Sequence, residues 1–92
     1  MKVMINNEEC IVKWQHNSKK HFSTRLHKEI AGETECTIRC PKINLNGKAF
    51  CLMDDQYNKN IGRKRSMAKA LEVLDKSVRK TFWDAYQVEI GI

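Results

Sequence analysis

No apolar run in this chain extends beyond residues 49–53, which excludes a transmembrane helix. Repeats, low-complexity segments and linkers are absent, so the 92 residues read as one domain, 1–92, with no room for a second core. Residues 1–7 carry no extended apolar stretch and no cleavage-site pattern, so a cytoplasmic protein without membrane contact is expected. The four cysteines, Cys10, Cys36, Cys40 and Cys51, include no C-x-x-C pair, which argues against zinc. An intracellular setting argues against disulfides. All four stand among apolar positions, where reduced cysteine serves as a small hydrophobe. Convergent catalytic groups are lacking too. His16, His21 and His27 fall in a polar link and a strand, where exposure to solvent is expected. No motif marks Ser18 or Ser23 as a nucleophile. Asp54-Asp55 reads as a turn or cap. The expectation is a protein without enzymatic activity, cofactor or metal.

What is present is charge, and it is segregated. Residues 56–80 hold eight cations against two anions, which accounts for the whole net charge of +6. A field with a direction recruits anionic partners such as nucleotides, nucleic acid or acidic protein surfaces. The stretch reads as a helix beginning Gly62-Arg63-Lys64-Arg65, where cations oppose the positive end of the macrodipole. An anion held between them resolves that conflict. Tyr57 offers a flat face for a base, Asn58 a donor and an acceptor to its edge, and Gly62 close backbone approach to a phosphate. On a helical wheel Arg63 lies about 40° from Met67, near the edge of the packed face, with Lys64 on the other flank and Arg65 outward.

At 41% apolar and 30% charged residues the chain should fold. Its first half alternates as strands. Met1, Val3 and Ile5 precede a turn at residues 6–9, and Cys10, Val12 and Trp14 continue beyond it. Phe22, Thr24, Leu26 and Ile30 suggest a third strand, residues 31–34 a turn, and Cys36, Ile38 and Cys40 a fourth strand. Asn46-Gly47 predicts a type I′ hairpin. Pro41 predicts an edge or a bulge, which would bring Cys36 and Ile38 onto one face with Ile43, Leu45, Phe50 and Leu52. The period then changes. Met67, Leu71 and Leu74 predict an amphipathic helix over residues 61–74, broken at residues 75–77. Val78, Phe82 and Tyr86 predict a second helix, with Trp83 beside Arg79 as a stacked pair or an interface anchor, and Val88, Ile90 and Ile92 a short final strand. The fold class is α+β: a β-strand region over 1–55, then a basic helical region over 56–92 whose two helices pack on an antiparallel sheet of about four to six strands.

The segment Asp55-Gln56-Tyr57-Asn58-Lys59-Asn60-Ile61-Gly62-Arg63-Lys64, then Ala70-Leu71 and Arg79, Trp83 and Tyr86, resembles small phage-encoded proteins of the Thoeris anti-defence family, first type. The likeness covers residues 54–86 and extends to Val12-Lys13-Trp14. It implies a β-sheet with two C-terminal helices, assembled as a dimer or hexamer, that sequesters cyclic ADP-ribose signals or cyclic oligonucleotides in an infected bacterial cell. Tyr57 stands where the family's pattern usually has Phe, which preserves stacking. Met67 stands where a polar reader of a base would be expected. The ligand-binding set is then Tyr57, Asn58, Arg63, Lys64, Met67 and Arg79. Two other readings stay open: a basic nucleic-acid-binding regulator contacting phosphates through Arg65 and Lys69, and an inhibitor that blocks a host protein surface through Trp83 and the basic face.

Overall fold

The computed structural model describes residues 1–17, 20–24, 28–52 and 58–91, and for His21 and Ser23 the backbone alone. The elements run β1 (Lys2–Ile5), β2 (Glu8–Asn17), β3 (His21–Ser23), β4 (Lys28–Arg39), β5 (Asn44–Leu52), α1 (Lys59–Leu71) and α2 (Lys76–Glu89). The architecture is α+β, a five-stranded antiparallel sheet followed by two C-terminal helices. Asn6 and Asn7, at φ 51° and 64°, make the two-residue turn that joins β1 to β2. β4 is the central strand. β2 and then β3 pair along one of its edges and β5 along the other, so that Ile30 faces His21 on one side and Leu52 on the other.

Four local expectations are corrected. Residues 31–34 do not turn. β4 runs straight through them, and Gly32 lies beside a register shift between Ile30 and Gly32. The bulge is therefore there and not at Pro41, which sits in the connection closed by Cys40 N donating to Ile43 O at 2.9 Å. Asn46-Gly47 does not turn either: Gly47 lies mid-strand opposite Cys36. A Cβ at Gly47 would strike Ser66 O and stand 2.5 Å from Ala70 N. Glycine is there because α1 rests directly on the strand backbone. Phe22, expected to share a face with Ile30, is exposed, because the two residues belong to different strands and Phe22 pairs with Glu29. Leu26, His27, Ser18, Asp54 and Asp55 lie outside the described residues.

Alternation places Cys10, Val12, Cys36 and Ile38 on the helix-covered face, with Leu45, Gly47 and Ala49 of β5 on the same side. Met67, Ala70 and Leu71 of α1 and Phe82 and Tyr86 of α2 close the core over them. Full burial of a side chain the size of Leu71 or Phe82 contributes about 1.5–3 kcal/mol. α1 packs across β4 and β5, whereas α2 packs on β1. Asp75 is the N-cap residue of α2, which runs to Glu89. The expected final strand is therefore not found among the described residues; Val88 belongs to the helix, and Ile90 N donates to Tyr86 O at 3.1 Å. Cys10 and Cys40 form a disulfide, contrary to the expectation of four reduced thiols. Their positions adjoin the Ile11–Arg39 pair of neighbouring strands, and their Cα atoms are 4.3 Å apart. Cys36 remains a free, buried thiol, and burial pushes its pKa up to about 12.

Candidate functional site

Because α1 covers β4 and β5 while α2 covers β1, a cleft of about 830 Å³ is left between the helices above β2. Its α1 wall is Asn60, Arg63 and Lys64, which share one helix face at spacings i, i+3 and i+4. Tyr86, Glu89 and Ile90 repeat that spacing on the opposite wall. Trp14 and His16 come up from the inward face of β2. Arg63 is half-buried at the margin of the packed face and Lys64 is exposed, as the helical wheel places them, while Arg65 points away into a different groove. Neither Arg63 nor Lys64 forms a side-chain ion pair among the described residues.

Two of the residues lining the cleft carry a buried donor without a partner among the described residues. Trp14 Nε1 and the Tyr86 hydroxyl are buried without a hydrogen-bond partner among the described residues, and Tyr86 as a whole is only 2% exposed. An indole N–H can only donate, and a buried donor left unmade costs about 1–3 kcal/mol. The rings support one another: Trp14 meets Tyr86 edge-on at 5.8 Å, and Trp83 meets it from elsewhere at 5.9 Å. His16 is not the solvent-exposed residue expected of a link. It is half-buried on β2, with Nδ1 2.8 Å from the buried Thr34 Oγ1. Burial lowers its pKa below the usual 6.5, and the positive charges of Arg63 and Lys59 lower it further. Glu89 is the one carboxylate among the described residues lining the cleft.

The expected ligand set divides. Arg63 and Lys64 meet in the cleft. Met67 is fully buried in the core and has no surface to offer a base. Asn58 is the N-cap of α1, and its Oδ1 accepts from Asn60 N at 2.9 Å and Ile61 N at 3.3 Å, which engages the acceptor meant for a base edge. Those amides are equally unavailable to a phosphate. Gly62 N donates to Asn58 O at 3.0 Å, and a Cβ at this position would collide with Thr34 Oγ1, so Gly62 serves close packing on β4. Because α1 begins at Lys59, the run from Arg63 to Arg65 falls in its second turn and opposes the dipole less than expected. Arg79 lines a separate depression with Lys76, Lys80 and Trp83 and does not reach the cleft. Tyr57 lies outside the described residues. The aromatic side chains of α2 face inward: Phe82 and Tyr86 are buried and Trp83 is half-buried.

Trp14, His16 and Tyr86 are the residues that sequence reasoning missed as site residues. Their signal was a tryptophan and a histidine two apart on the inward phase of a strand otherwise lined by Cys10 and Val12. Among the described residues no cluster of His, Cys, Asp or Glu could hold a metal, and no helix is long and apolar enough to cross a membrane. No family model, no curated protein and no solved structure matches the chain.

Proposed function

We propose that the protein captures and sequesters a nucleotide second messenger, of the cyclic ADP-ribose or cyclic oligonucleotide type, in the cleft between α1 and α2 without turning it over. The observation that carries this reading is the meeting of the α1 cations Arg63 and Lys64 with two buried donors that have no hydrogen-bond partner among the described residues, Trp14 Nε1 and the Tyr86 hydroxyl. Cations and donors together suit a phosphate, since donors engaged with an ionised acceptor make the strong, short hydrogen bonds. Glu89 offers an acceptor to a ribose hydroxyl or an exocyclic amine, and the half-buried Trp14 ring offers apolar contact to a base. A plain inorganic anion would leave both of those groups without a use. The volume of about 830 Å³ falls in the range of small-molecule sites. The likeness to the Thoeris anti-defence family supplies the setting of the proposal: a phage-encoded antagonist in an infected bacterium, oligomeric so that a second protomer closes the cleft.

Calorimetric titration with cyclic ADP-ribose and with cyclic dinucleotides tests it, joined to mass spectrometry of the ligand released on denaturation. One of these ligands should bind and emerge intact. Arg63→Ala should weaken binding about tenfold to a hundredfold, the equivalent of about 1.5–3 kcal/mol for hydrogen bonds to a charged group. Arg65→Ala should leave it unchanged. Equal losses from the two variants, or a cleaved ligand, would overturn the reading.

A further inference from the structure

Away from the cleft, β5 is an edge strand. It pairs with β4 along its length and has no strand on its other side among the described residues. Alternate residues of such a strand present N–H and C=O groups outward, ready to template another chain. The usual protections are weak here. β5 has nine residues and no proline, its register shift lies at the far end opposite Ile30 and Gly32, and Lys48 is its one charge.

The flank of α1 runs beside this edge because Gly47 lets the helix settle on the strand. Between the two lies a groove of about 900 Å³, lined by Gly47, Ala49 and Leu52 of β5 and by Arg65, Ala68 and Lys69 of α1. Among the described residues no carboxylate lines it. Arg65 and Lys69, one helical turn apart, have no ion pair among the described residues, and Lys48 reaches Glu35 only at 3.9 Å.

We propose that this groove takes an extended acidic polypeptide segment, which adds to β5 as a further strand while its carboxylates meet Arg65 and Lys69. The backbone ladder supplies affinity and the rim charges supply selectivity, as in other cases of strand addition. Charge decides the occupant. Two copies joining β5 edges about a two-fold axis would set Lys48, Arg65 and Lys69 of one protomer against the same cations of its partner, and like charges across an interface are costly. Nucleic acid would use the rim cations but leave the edge amides and carbonyls without a ladder.

The probe is a short capped peptide alternating glutamate and valine, added to the full chain and read by hydrogen exchange of the β5 amides. Outward amides of β5 should exchange more slowly with the peptide bound. The Arg65→Ala/Lys69→Ala double variant should bind it about tenfold more weakly, while a lysine–valine counterpart and a fully N-methylated acidic counterpart should not bind. Equal binding of the N-methylated peptide would reduce the effect to diffuse charge attraction and overturn the proposal. So would equal protection of β5 by a single-stranded oligonucleotide of matching charge, or an absence of protection under peptide saturation.

Discussion

Removing one oxygen from Tyr86 should move stability and binding in opposite directions. The hydroxyl is buried, unpartnered among the described residues, and part of a side chain only 2% exposed. A buried polar group without a hydrogen bond costs the folded state about 1–3 kcal/mol. Tyr86→Phe deletes the group but keeps the ring and its edge contacts with Trp14 and Trp83. The unliganded variant should therefore be more stable by about 1 kcal/mol or more. For a domain of this size each such increment raises Tm by about 4–8 °C. Affinity for the nucleotide should fall, because a phosphate oxygen seated against Tyr86 loses a charge-assisted hydrogen bond worth about 1.5–3 kcal/mol, or roughly tenfold to a hundredfold in Kd. Differential scanning calorimetry and titration calorimetry on the same preparation measure both effects. A lowered Tm would mean that the hydroxyl already has a partner. A raised Tm with unchanged affinity would mean that no ligand acceptor reaches it, and the cleft would lose half of the donor pair on which its reading rests.

Gly47→Ala should destabilise the protein by about 1–3 kcal/mol, the range for overpacking, because the obstructing atoms are backbone Ser66 O and Ala70 N that cannot swing aside; urea denaturation measures it. Asn58→Ala should lower stability by about 1 kcal/mol through loss of the α1 cap while leaving nucleotide affinity unchanged, and a titration that showed a large loss of binding would return Asn58 to the site. His16 has a depressed pKa, so the unfolded chain binds its proton first; stability should be full above about pH 6.5 and decline as pH falls from there toward the folded pKa. Arg63→Ala should raise the His16 pKa seen by NMR titration, and a value that did not move would place Arg63 too far away to share the cleft with it.

Much of the fold is legible in period alone. Alternation gives the β1–β2 hairpin, and the spacing of Met67, Leu71, Phe82 and Tyr86 gives two helices and their buried faces. The errors concentrate where one residue type serves two purposes. Residues 31–34 have turn composition, yet they stay in β4: Thr34 pairs with His16 of β2 and Ala49 of β5 beneath Gly62 of α1, and Gly32 pairs with Cys51 of β5. The disulfide was missed because register, which sets Cys10 beside Cys40, depends on which strands are neighbours. The candidate site was half-legible for a similar reason. A helical wheel shows that Arg63 lies at the edge of the packed face, a local property. What Arg63 faces is decided by Trp14 and His16 on β2 and by Tyr86 on α2, which converge on it only in three dimensions.

Asn46-Gly47 shows how the two levels connect. Read by itself, the dipeptide is a turn; read together with Ser66 and Ala70, which are small and four apart on α1, it is a place where a helix touches a strand. Both small residues are buried, and their backbone atoms are the ones that a side chain at position 47 would strike. Gly62 on Thr34 repeats the arrangement one turn nearer the helix N-terminus. Two contacts of this kind set the height of α1 above the sheet at both ends of the basic segment. Arg63 stands beside Gly62, so the depth at which its guanidinium enters the cleft follows from how closely the backbone behind it approaches β4. The same seating at Gly47 lays Arg65 and Lys69 along the β5 edge. Two glycines without chemistry of their own thus divide one basic helix into two cationic sides, one turned to the cleft between the helices and the other to the β5 edge.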